Sequence, residues 1–228
     1  MRPAAEAARH AMLEARQVKP HIRMNDLPPP GAYSAPSTAR NRDPILLVIK
    51  PRLPAAGLVL EIAAGAGEHA LFNAAALPHL TWQPTDPDPD ALASIAAWRD
   101  QAALPNLLAP LRLDAADPDH WPVHQADAMV NINMIHISPW SASEGLMTGA
   151  GRLLPRGGPL FLYGPYIEAE VDTAPSNLAF DQNLKARNPA WGLRRLEDVK
   201  ALAARHNLAF AERIAMPANN LMVVFRKA

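Results

Sequence analysis

The stretch Val59–His69, with the sequence VLEIAAGAGEH, decides the fold prediction for this chain. A run of apolar residues gives way to small residues, Ala63 to Gly67, and then to a segment able to begin a helix. A strand, a tight turn and a helix N-terminus follow one another in this way where a backbone must approach a ligand closely. The stretch therefore predicts a ligand-binding turn and raises the question of which ligand it holds.

Short apolar segments alternate with helical segments around this turn. Strands are predicted in GLVLEIA (57–63), LTWQPTD (80–86), LLAPLRLDA (107–115), ADAMVNINMIHI (126–137) and GPLFLYGPY (158–166). Helices are predicted from about Asp43-Pro44 and in EHALFNAAAL (68–77), DALASIAAWRDQA (90–102), SASEGLMTGAGRLL (141–154) and LEDVKALAARHN (196–207). This alternation is typical of parallel strands joined by helical crossovers. Two further strands in 208–228, joined by PANN, predict an antiparallel hairpin that closes the sheet.

The composition restricts the classes of partner. The chain has 228 residues and 49% hydrophobic content, enough for one globular domain with a substantial core. Its 22 basic residues equal its 22 acidic residues, so no global basic field favours nucleic acid or an anionic membrane. No apolar run approaches the roughly 18–20 residues that span a bilayer. The absence of cysteine excludes disulfides, zinc-thiolate sites and cysteine nucleophiles, and it suits a cytoplasmic location.

The N-terminal part has a different composition, so we place a boundary before residue 37. Residues 1–36 are predicted to form an alanine-rich helical extension followed by a proline-rich connector, and residues 37–228 the main domain. Three interpretations of the extension stay open at this point: a helix packed on the domain, a partner-binding arm, or sequence upstream of a start at Met24.

Two cofactors are compatible with the glycine turn. Gly65, Gly67 and Ala70 fit the pattern G-x-G-x-x-A, and Asp86 lies 21 residues after Gly65, which is also the spacing of a dinucleotide fingerprint. Three other features favour S-adenosylmethionine. Glu61 lies inside the strand, where it could accept amide protons from the following turn; the turn is long and made of small residues; and the C-terminal hairpin suits a methyltransferase sheet.

At the level of motifs, LEIAAGAG resembles the acidic strand and glycine turn of class I methyltransferases, with Ala63 in place of a frequent glycine. More narrowly, RNRDPIL, VLEIAAGAGEHA, WQPTD, INMIHISPW and WGLRRLEDV resemble, in this order, the methyltransferase-like 26 family. The resemblance runs from about Ser37 to the C-terminus. It implies an α/β fold with a Rossmann-like seven-stranded sheet, mostly parallel with an antiparallel C-terminal strand and helices on both faces. It also implies S-adenosylmethionine as cofactor, with S-adenosylhomocysteine as product, but it does not identify the methyl acceptor.

The resemblance to class I methyltransferases also implies roles for individual residues. The turn would face the methionine part, Asp86 the ribose hydroxyls, Asp114 and Ala115 the adenine, and two asparagines the sulfonium. The predicted cofactor contacts are Arg42, Glu61, Ala63, Gly65, Gly67, Asp86, Asp114, Ala115, Asn131 and Asn133. Structural alternatives stay open: Asp86 and Asp114 as turn or cap residues, Glu61 as a loop anchor, and Arg40 to Arg42 as a solvated basic turn.

The predicted catalytic region is NMIHISPW (133–140), at the end of the fourth strand. His136 is the nearby residue whose unperturbed pKa is close to neutrality, so we predict it as a general base, with a structural histidine under a loop as the alternative. Asn133-Met134-Ile135-His136 replaces the Asn/Asp-Pro-Pro-aromatic tetrad of base methylation. The predicted acceptor contacts are Trp140, Tyr163, Tyr166, Asn177, Asp181, Arg187 and Trp191, and an Asp181–Arg187 ion pair is the structural alternative for that pair.

The sequence thus favours a cytoplasmic, metal-independent, S-adenosylmethionine-dependent methyltransferase of a small molecule, with an O, N or S acceptor. An NAD(P)-dependent Rossmann oxidoreductase is the alternative enzyme, and a non-catalytic binding protein with the methyltransferase fold is the alternative without turnover. We expect no nucleic-acid or membrane partner, and a homodimer is left open.

Overall fold

A computed structural model of the protein describes residues 28–228. The strands are β1 (Gly57–Ile62), β2 (Leu80–Asp86), β3 (Leu111–Arg112), β4 (Ala128–Ile132), β5 (Pro159–Gly164), β6 (Tyr166–Ile167), β7 (Arg194–Arg195), β8 (Leu208–Met216) and β9 (Asn220–Lys227). The α-helices are α1 (Thr38–Ile49), α2 (Glu68–Ala76), α3 (Pro89–Ala102), α4 (Trp140–Leu153), α5 (Pro175–Arg187) and α6 (Leu196–Arg205). None of the helices in this part of the chain combines the length and hydrophobicity needed to cross a membrane.

Seven strands form one sheet in the order β3-β2-β1-β4-β5-β9-β8. The pairs from β3 to β5 are parallel, whereas β9 runs antiparallel to both β5 and β8. This arrangement confirms the predicted fold class, including the antiparallel C-terminal hairpin. β1 is central, and the chain winds from it first towards β2 and later towards β4, so the winding direction reverses at β1.

The sheet is covered by helices on both faces, which explains why its central strands read as continuous apolar runs. Leu60 and Ile62 of β1 pack in one core with residues of α4 and α6. Val59, on the opposite face of β1, packs in a second core with residues of α1, α2 and α3. Because each central strand contributes side chains to both cores, it is apolar at nearly every position.

The bounds of α1, β3 and β4 differ from the predictions. α1 begins at Thr38, before the predicted start at Asp43-Pro44, so Pro44 lies inside the helix. β3 spans only Leu111–Arg112; it begins after Pro110, which has no N–H to donate to the neighbouring strand. β4 ends at Ile132 because Asn133 has φ 65°, and Met134–His136 then form a 3-10 helix.

The segment between β6 and β7 contains a helix that the sequence analysis did not identify. α5 buries Asn177, Asp181 and Leu184, which have helical spacing. Two of these three residues are polar, so an apolar periodicity does not indicate the helix. β6 and β7 form a separate two-stranded parallel sheet at the ends of this segment.

The predicted N-terminal helix and Met24 lie outside the described residues. The end of the proline-rich connector is bonded to the domain: Tyr33 N donates to Ser94 Oγ (3.1 Å), and Ala35 N donates to Glu68 Oε2 (2.6 Å). The indole of Trp98 donates to the Tyr33 carbonyl (3.2 Å). Residues 33–35 therefore pack against α2 and α3.

Candidate functional site

The turn between β1 and α2 has a backbone that favours glycine at two positions. Gly65 and Gly67 have φ values of 56° and 89°, and Ala63 has φ 57°. A Cβ added at Gly67 would lie 2.9 Å from Ile95 Cα, so only glycine lets the turn approach α3 this closely. A Cβ added at Gly65 would meet no atom within 4 Å, so the backbone at Gly65 borders free space.

That free space is part of a cavity of ≈ 320 Å³ at the carboxyl ends of β1, β2 and β4. In an open α/β sheet, this is where ligands bind, because the chain winding reverses there. Its walls comprise Ala35, Ser37, Thr38, Glu61, the turn 63–67, Glu68, His69, Asp86, Ile132, Asn133, Met134 and Ile137. The structure thus brings together six predicted cofactor contacts: Glu61, Ala63, Gly65, Gly67, Asp86 and Asn133.

Asp86 supports the turn and also borders the cavity. Its carboxylate accepts hydrogen bonds from Gly65 N (2.9 Å) and from Asp88 N (3.0 Å), and only 6% of the residue is exposed. Burial raises the pKa of Asp86, and the two amide hydrogen bonds oppose that shift. A carboxylate has about four lone-pair positions, so two amide donors leave acceptor capacity for a ligand hydroxyl.

Glu61 has a partner different from the one predicted. Its Oε2 accepts a hydrogen bond from the indole Nε1 of Trp82 (2.6 Å) rather than from amides of the following turn. The side chain is 2% exposed, and burial raises its pKa to about 8, although the indole hydrogen bond opposes the shift. Near neutral pH, Glu61 is therefore largely a neutral acid that can donate a proton as well as accept one.

The two predicted asparagines have different positions. Asn133 borders the cavity, and its left-handed backbone donates from N to the Tyr163 carbonyl (2.8 Å). Asn131 is buried outside the cavity walls and donates from Nδ2 to the Ile62 carbonyl (2.9 Å). Asn131 therefore ties the end of β4 to the end of β1, and Asn133 is the residue that can reach a ligand.

Three other predicted cofactor contacts do not form the cavity walls. Asp114 accepts from Ala116 N (2.8 Å), which is the turn role left open by the sequence, and Ala115 packs close to Gly145. Arg42 lies over the ring of Phe72, with 4.9 Å between its guanidinium carbon and the ring centroid. In this structure, none of the three lines the cavity.

His136 is fully buried and is not among the residues that border the cavity. Both ring nitrogens have no hydrogen-bond partner among the described residues, and the ring meets Tyr166 edge to face at 5.0 Å between centroids. Burial and the nearby Arg194 charge lower the pKa of His136 to about 3, so the ring is neutral at physiological pH. As a general base, His136 would need to become exposed, and this role stays a prediction.

The predicted acceptor contacts are divided among several places. Tyr163 is buried in the core, whereas Tyr166 and Asn177 line a second cavity of ≈ 200 Å³ beside β8 and β9. The guanidinium carbon of Arg187 lies 5.1 Å from the ring centroid of Trp191, and that of Arg194 lies 5.6 Å from the ring centroid of Trp140.

Asp181 pairs with a lysine rather than with Arg187, its partner in the structural alternative. Asp181 accepts from Lys185 Nζ (2.5 Å) and from Leu193 N (2.8 Å), so the predicted ion pair with Arg187 is replaced by one with Lys185. The lysine lies one helical turn further along α5, a spacing that favours contact on a helix surface.

Sequence reasoning missed His69 and Glu68, which follow the glycine turn directly. His69 borders the cavity, and burial together with the Arg42 charge lowers its pKa to about 4. Glu68 borders the cavity and holds Ala35 at its edge. Both residues stand in the quoted motif, in the segment after Gly67 that the sequence predicts as a helix start. Their position directly after the turn was the available signal.

Comparison with solved structures identifies the fold. An O-methyltransferase family 2 protein from Planctomyces limnophilus, in complex with apigenin, matches 84% of this chain and 60% of its own with a TM-score of 0.69 and 19% identity. The S-adenosylmethionine-dependent methyltransferase SibL matches 84% of this chain and 55% of its own (TM-score 0.69, 19% identity). CalO1, a methyltransferase in calicheamicin biosynthesis in its SAH-bound form, matches 83% and 57% (TM-score 0.64, 16% identity). The chain thus spans less than two thirds of the length of these proteins.

The chain therefore has the Rossmann-like fold of class I methyltransferases, with a candidate binding cavity at the switch point of the sheet. It belongs to the family described as "Protein of unknown function (DUF938)", whose model matches residues 32–227.

Proposed function

We propose that this protein is an S-adenosylmethionine-dependent methyltransferase that methylates a small molecule. The observation that carries the proposal is the cavity in which the glycine turn, Asp86 and Asn133 meet at the reversal of the sheet. The antiparallel β9 favours this proposal over an NAD(P)-dependent oxidoreductase, whose sheet we expect to be all parallel. The solved methyltransferases with the same fold support the cofactor assignment.

The residues of the cavity fit this cofactor. Asp86 retains acceptor capacity for the ribose hydroxyls, and the open backbone at Gly65 allows the amino-acid part to approach. Glu61 is largely a neutral acid and His69 a neutral imidazole, so each can donate and accept hydrogen bonds. Both kinds of hydrogen bond suit the zwitterionic amino-acid part of the cofactor. When bound, the cofactor supplies an electrophilic methyl group on a sulfonium.

The chain's own contribution to methyl transfer would be alignment and exclusion of water. Met134 and Ile137 place apolar side chains beside Asn133 at the cavity wall. Holding two reactants in a near-attack geometry lowers the barrier without covalent participation by the protein. A proton acceptor is needed only when the attacking group is still protonated, and His136 stays our predicted base for that case. Normal turnover by His136→Ala at every pH would exclude this role.

The narrower parts of the proposal rest on the sequence. Five motifs in order support membership of the methyltransferase-like 26 family, and the cysteine-free composition supports a cytoplasmic location. The acceptor is a small molecule with an O, N or S nucleophile, and a homodimer remains part of the proposal to be tested.

Calorimetry and thermal unfolding with three ligands test the cofactor. S-adenosylmethionine and S-adenosylhomocysteine should bind and raise the Tm, because a ligand that binds only the native state stabilises it by about 2.7 kcal/mol at a hundredfold excess over Kd. NADH should do neither. Binding of NADH alone would overturn the proposal in favour of an oxidoreductase.

Turnover distinguishes an enzyme from a binding protein with the same fold. A panel of thiols, amines and phenols is incubated with the protein and S-adenosylmethionine, and release of S-adenosylhomocysteine is measured. Tight cofactor binding without turnover on any panel member would favour the non-catalytic alternative.

A further inference from the structure

One wall of the cofactor cavity is a short loop after β4, residues 133–138, which we call the β4 loop. Asn133, Met134 and Ile137 border the cavity. The loop contains little regular structure, since it consists mainly of one left-handed residue and a single 3-10 turn. Its own backbone bonds, from His136 N to the Asn133 carbonyl (3.1 Å) and from Ile137 N to the Met134 carbonyl (2.9 Å), are local. Such a loop depends on outside contacts to keep its shape.

Asn133 N, at the start of the loop, donates to the Tyr163 carbonyl (2.8 Å), and Arg194 supplies two contacts further along. Its Nε donates to the Ile135 carbonyl (2.8 Å), and its Nη2 donates to the Ser138 carbonyl (2.6 Å). Gly192 N donates to the His136 carbonyl (2.9 Å) in between. The β4 loop is therefore held at the carbonyl groups of Ile135, His136 and Ser138, while Asn133, Met134 and Ile137 border the cavity.

Arg194 is itself held in place by the segment before it. Its guanidinium also donates to the Ala190 carbonyl (3.1 Å) and lies over the Trp140 ring, 5.6 Å from the centroid. The preceding residue, Leu193, is bonded through its N–H to Asp181 of α5 (2.8 Å). The Arg194 side chain is half-buried, so its hydrogen bonds to carbonyl groups are partly shielded from water.

We propose that Arg194 is a positioning residue of the cofactor site: it fixes the β4 loop and thereby the shape of a cavity that it does not line. The proposal rests on the proposed function for the identity of the ligand. A guanidinium presents several donors in a rigid plane and can bind two carbonyl groups at once, whereas a lysine ammonium is a point charge on a flexible stem. Charge-assisted hydrogen bonds of this kind are among the stronger ones in proteins.

The chain offers a matched control next to Arg194. Arg195 is exposed and has the same charge, so a change there alters the net charge without touching the β4 loop. We compare Arg194→Ala, Arg194→Lys and Arg195→Ala. Amide hydrogen exchange is measured in the cofactor-free protein, S-adenosylhomocysteine affinity by calorimetry, and overall stability by thermal unfolding.

In Arg194→Ala, the β4 loop loses the charge-assisted hydrogen bonds at the Ile135 and Ser138 carbonyl groups. We therefore expect the amides of His136 and Ile137, which bond within the loop, to exchange about tenfold to a hundredfold faster. The affinity for S-adenosylhomocysteine should fall by a similar factor, roughly tenfold or more. Arg194→Lys should lose most of both properties, and Arg195→Ala should keep both. Millimolar guanidinium should restore part of the affinity of Arg194→Ala, which a general loss of folding would not allow.

Three results would overturn the proposal. They are unchanged exchange in the β4 loop, faster exchange that is equal across the whole domain, and faster loop exchange with unchanged S-adenosylhomocysteine affinity. Failure of the wild type to bind S-adenosylhomocysteine would instead refute the proposed function. The exchange comparison in the cofactor-free protein would then decide by itself whether Arg194 fixes the loop.

Discussion

At the scale of single residues, the candidate site is built from buried ionisable groups whose partners are now defined. Glu61 and Asp86 lie at the ends of neighbouring strands, and each accepts hydrogen bonds that partly offset its burial. A buried carboxyl without such partners would be costly. Glu61 and Asp86 therefore combine a structural role with acceptor capacity that faces the cavity.

Replacement of Asp86 tests its part in cofactor binding. We expect Asp86→Asn to weaken S-adenosylhomocysteine binding about tenfold to a hundredfold, because a hydrogen bond to a charged acceptor contributes roughly 1.5–3 kcal/mol. Asp114→Asn is the matched control, since Asp114 accepts from the amide two residues ahead just as Asp86 does but lies outside the cavity walls. Calorimetry measures both affinities. Equal losses in the two variants would mean that turn geometry, rather than ligand contact, explains the effect.

Glu61 should make stability depend on pH in an unusual direction. Its folded-state pKa of about 8 lies above the ordinary value of 4.5, so the folded chain binds more protons than the unfolded chain between these values. The contribution of Glu61 to the free energy of unfolding is therefore complete below pH 4.5 and is lost as the pH rises towards 8, at up to about 1.4 kcal/mol per pH unit.

The variant Glu61→Gln isolates this effect, because glutamine can still accept from Trp82 but does not titrate. We expect its stability, relative to that of the wild type, to rise between pH 5 and pH 8 in denaturant unfolding. Glu170→Gln, on the surface, serves as the control and should follow the wild type. A stability difference that does not change with pH would show that Glu61 is ionised in the folded protein.

At the scale of elements, the short connections decide the geometry of the site. The glycine turn joins β1 to α2, the β4 loop joins β4 to α4, and both border one cavity. The long elements supply rigid ends, and the connections present the groups that meet a ligand. This division is general in α/β proteins, in which binding groups lie on loops held by a scaffold.

The two glycines of the turn should respond differently to alanine. Gly67→Ala places a Cβ 2.9 Å from Ile95 Cα and adds left-handed strain, so we expect a loss of stability well above the roughly 1–2 kcal/mol of the strain alone. Gly65→Ala carries the strain without a clash, and its Cβ enters the cavity. We therefore expect it to cost about 1–2 kcal/mol of stability and to weaken S-adenosylhomocysteine binding clearly.

Denaturant unfolding and calorimetry on the two variants separate the effects. If Gly65→Ala binds S-adenosylhomocysteine as tightly as the wild type, the ligand does not approach the turn at this position. If Gly67→Ala is as stable as Gly65→Ala, the contact between the turn and α3 has enough slack to accept a methyl group.

At the scale of the whole molecule, the sheet alone does not indicate what the N-terminal connector contributes to the cavity. The described helices and strands all lie within 38–228, but residues 33–35 bond to α2 and α3, and Ala35 borders the cavity. The family model also begins before α1, at residue 32. The connector is therefore expected to matter for the site rather than for the sheet.

Two shortened chains test this expectation. A chain that starts at Met24 should fold and bind S-adenosylhomocysteine like the full chain, because it keeps every contact described above. A chain that starts at Thr38 should fold but bind less tightly, since Glu68 and Ser94 lose their backbone partners. Circular dichroism and calorimetry are the measurements. Loss of binding in the longer of the two chains would assign residues 1–23 to the site or to an assembly that completes it.

The sequence by itself determined the alternation of strands and helices, the antiparallel hairpin and the glycine turn. Each of these depends on residues close together in the chain: apolar periodicity, turn residues, and small residues before a helix. Glu61, Gly65, Gly67, Asp86 and Asn133 could be predicted as cavity residues because they stand at strand ends in motifs of this kind.

Only the tertiary structure decided which side chains meet across the sheet and between loops. The indole that binds Glu61 lies 21 residues away, and Arg194 lies 59 residues from the Ile135 carbonyl that it binds. The same holds for the helix α5: its buried Asn177 donates to the Asn219 carbonyl, and its buried Asp181 accepts from Leu193 N, both outside the helix. No local pattern encodes such contacts, because hydrogen bonding between distant segments depends on the packing of the elements that carry them rather than on neighbouring residues.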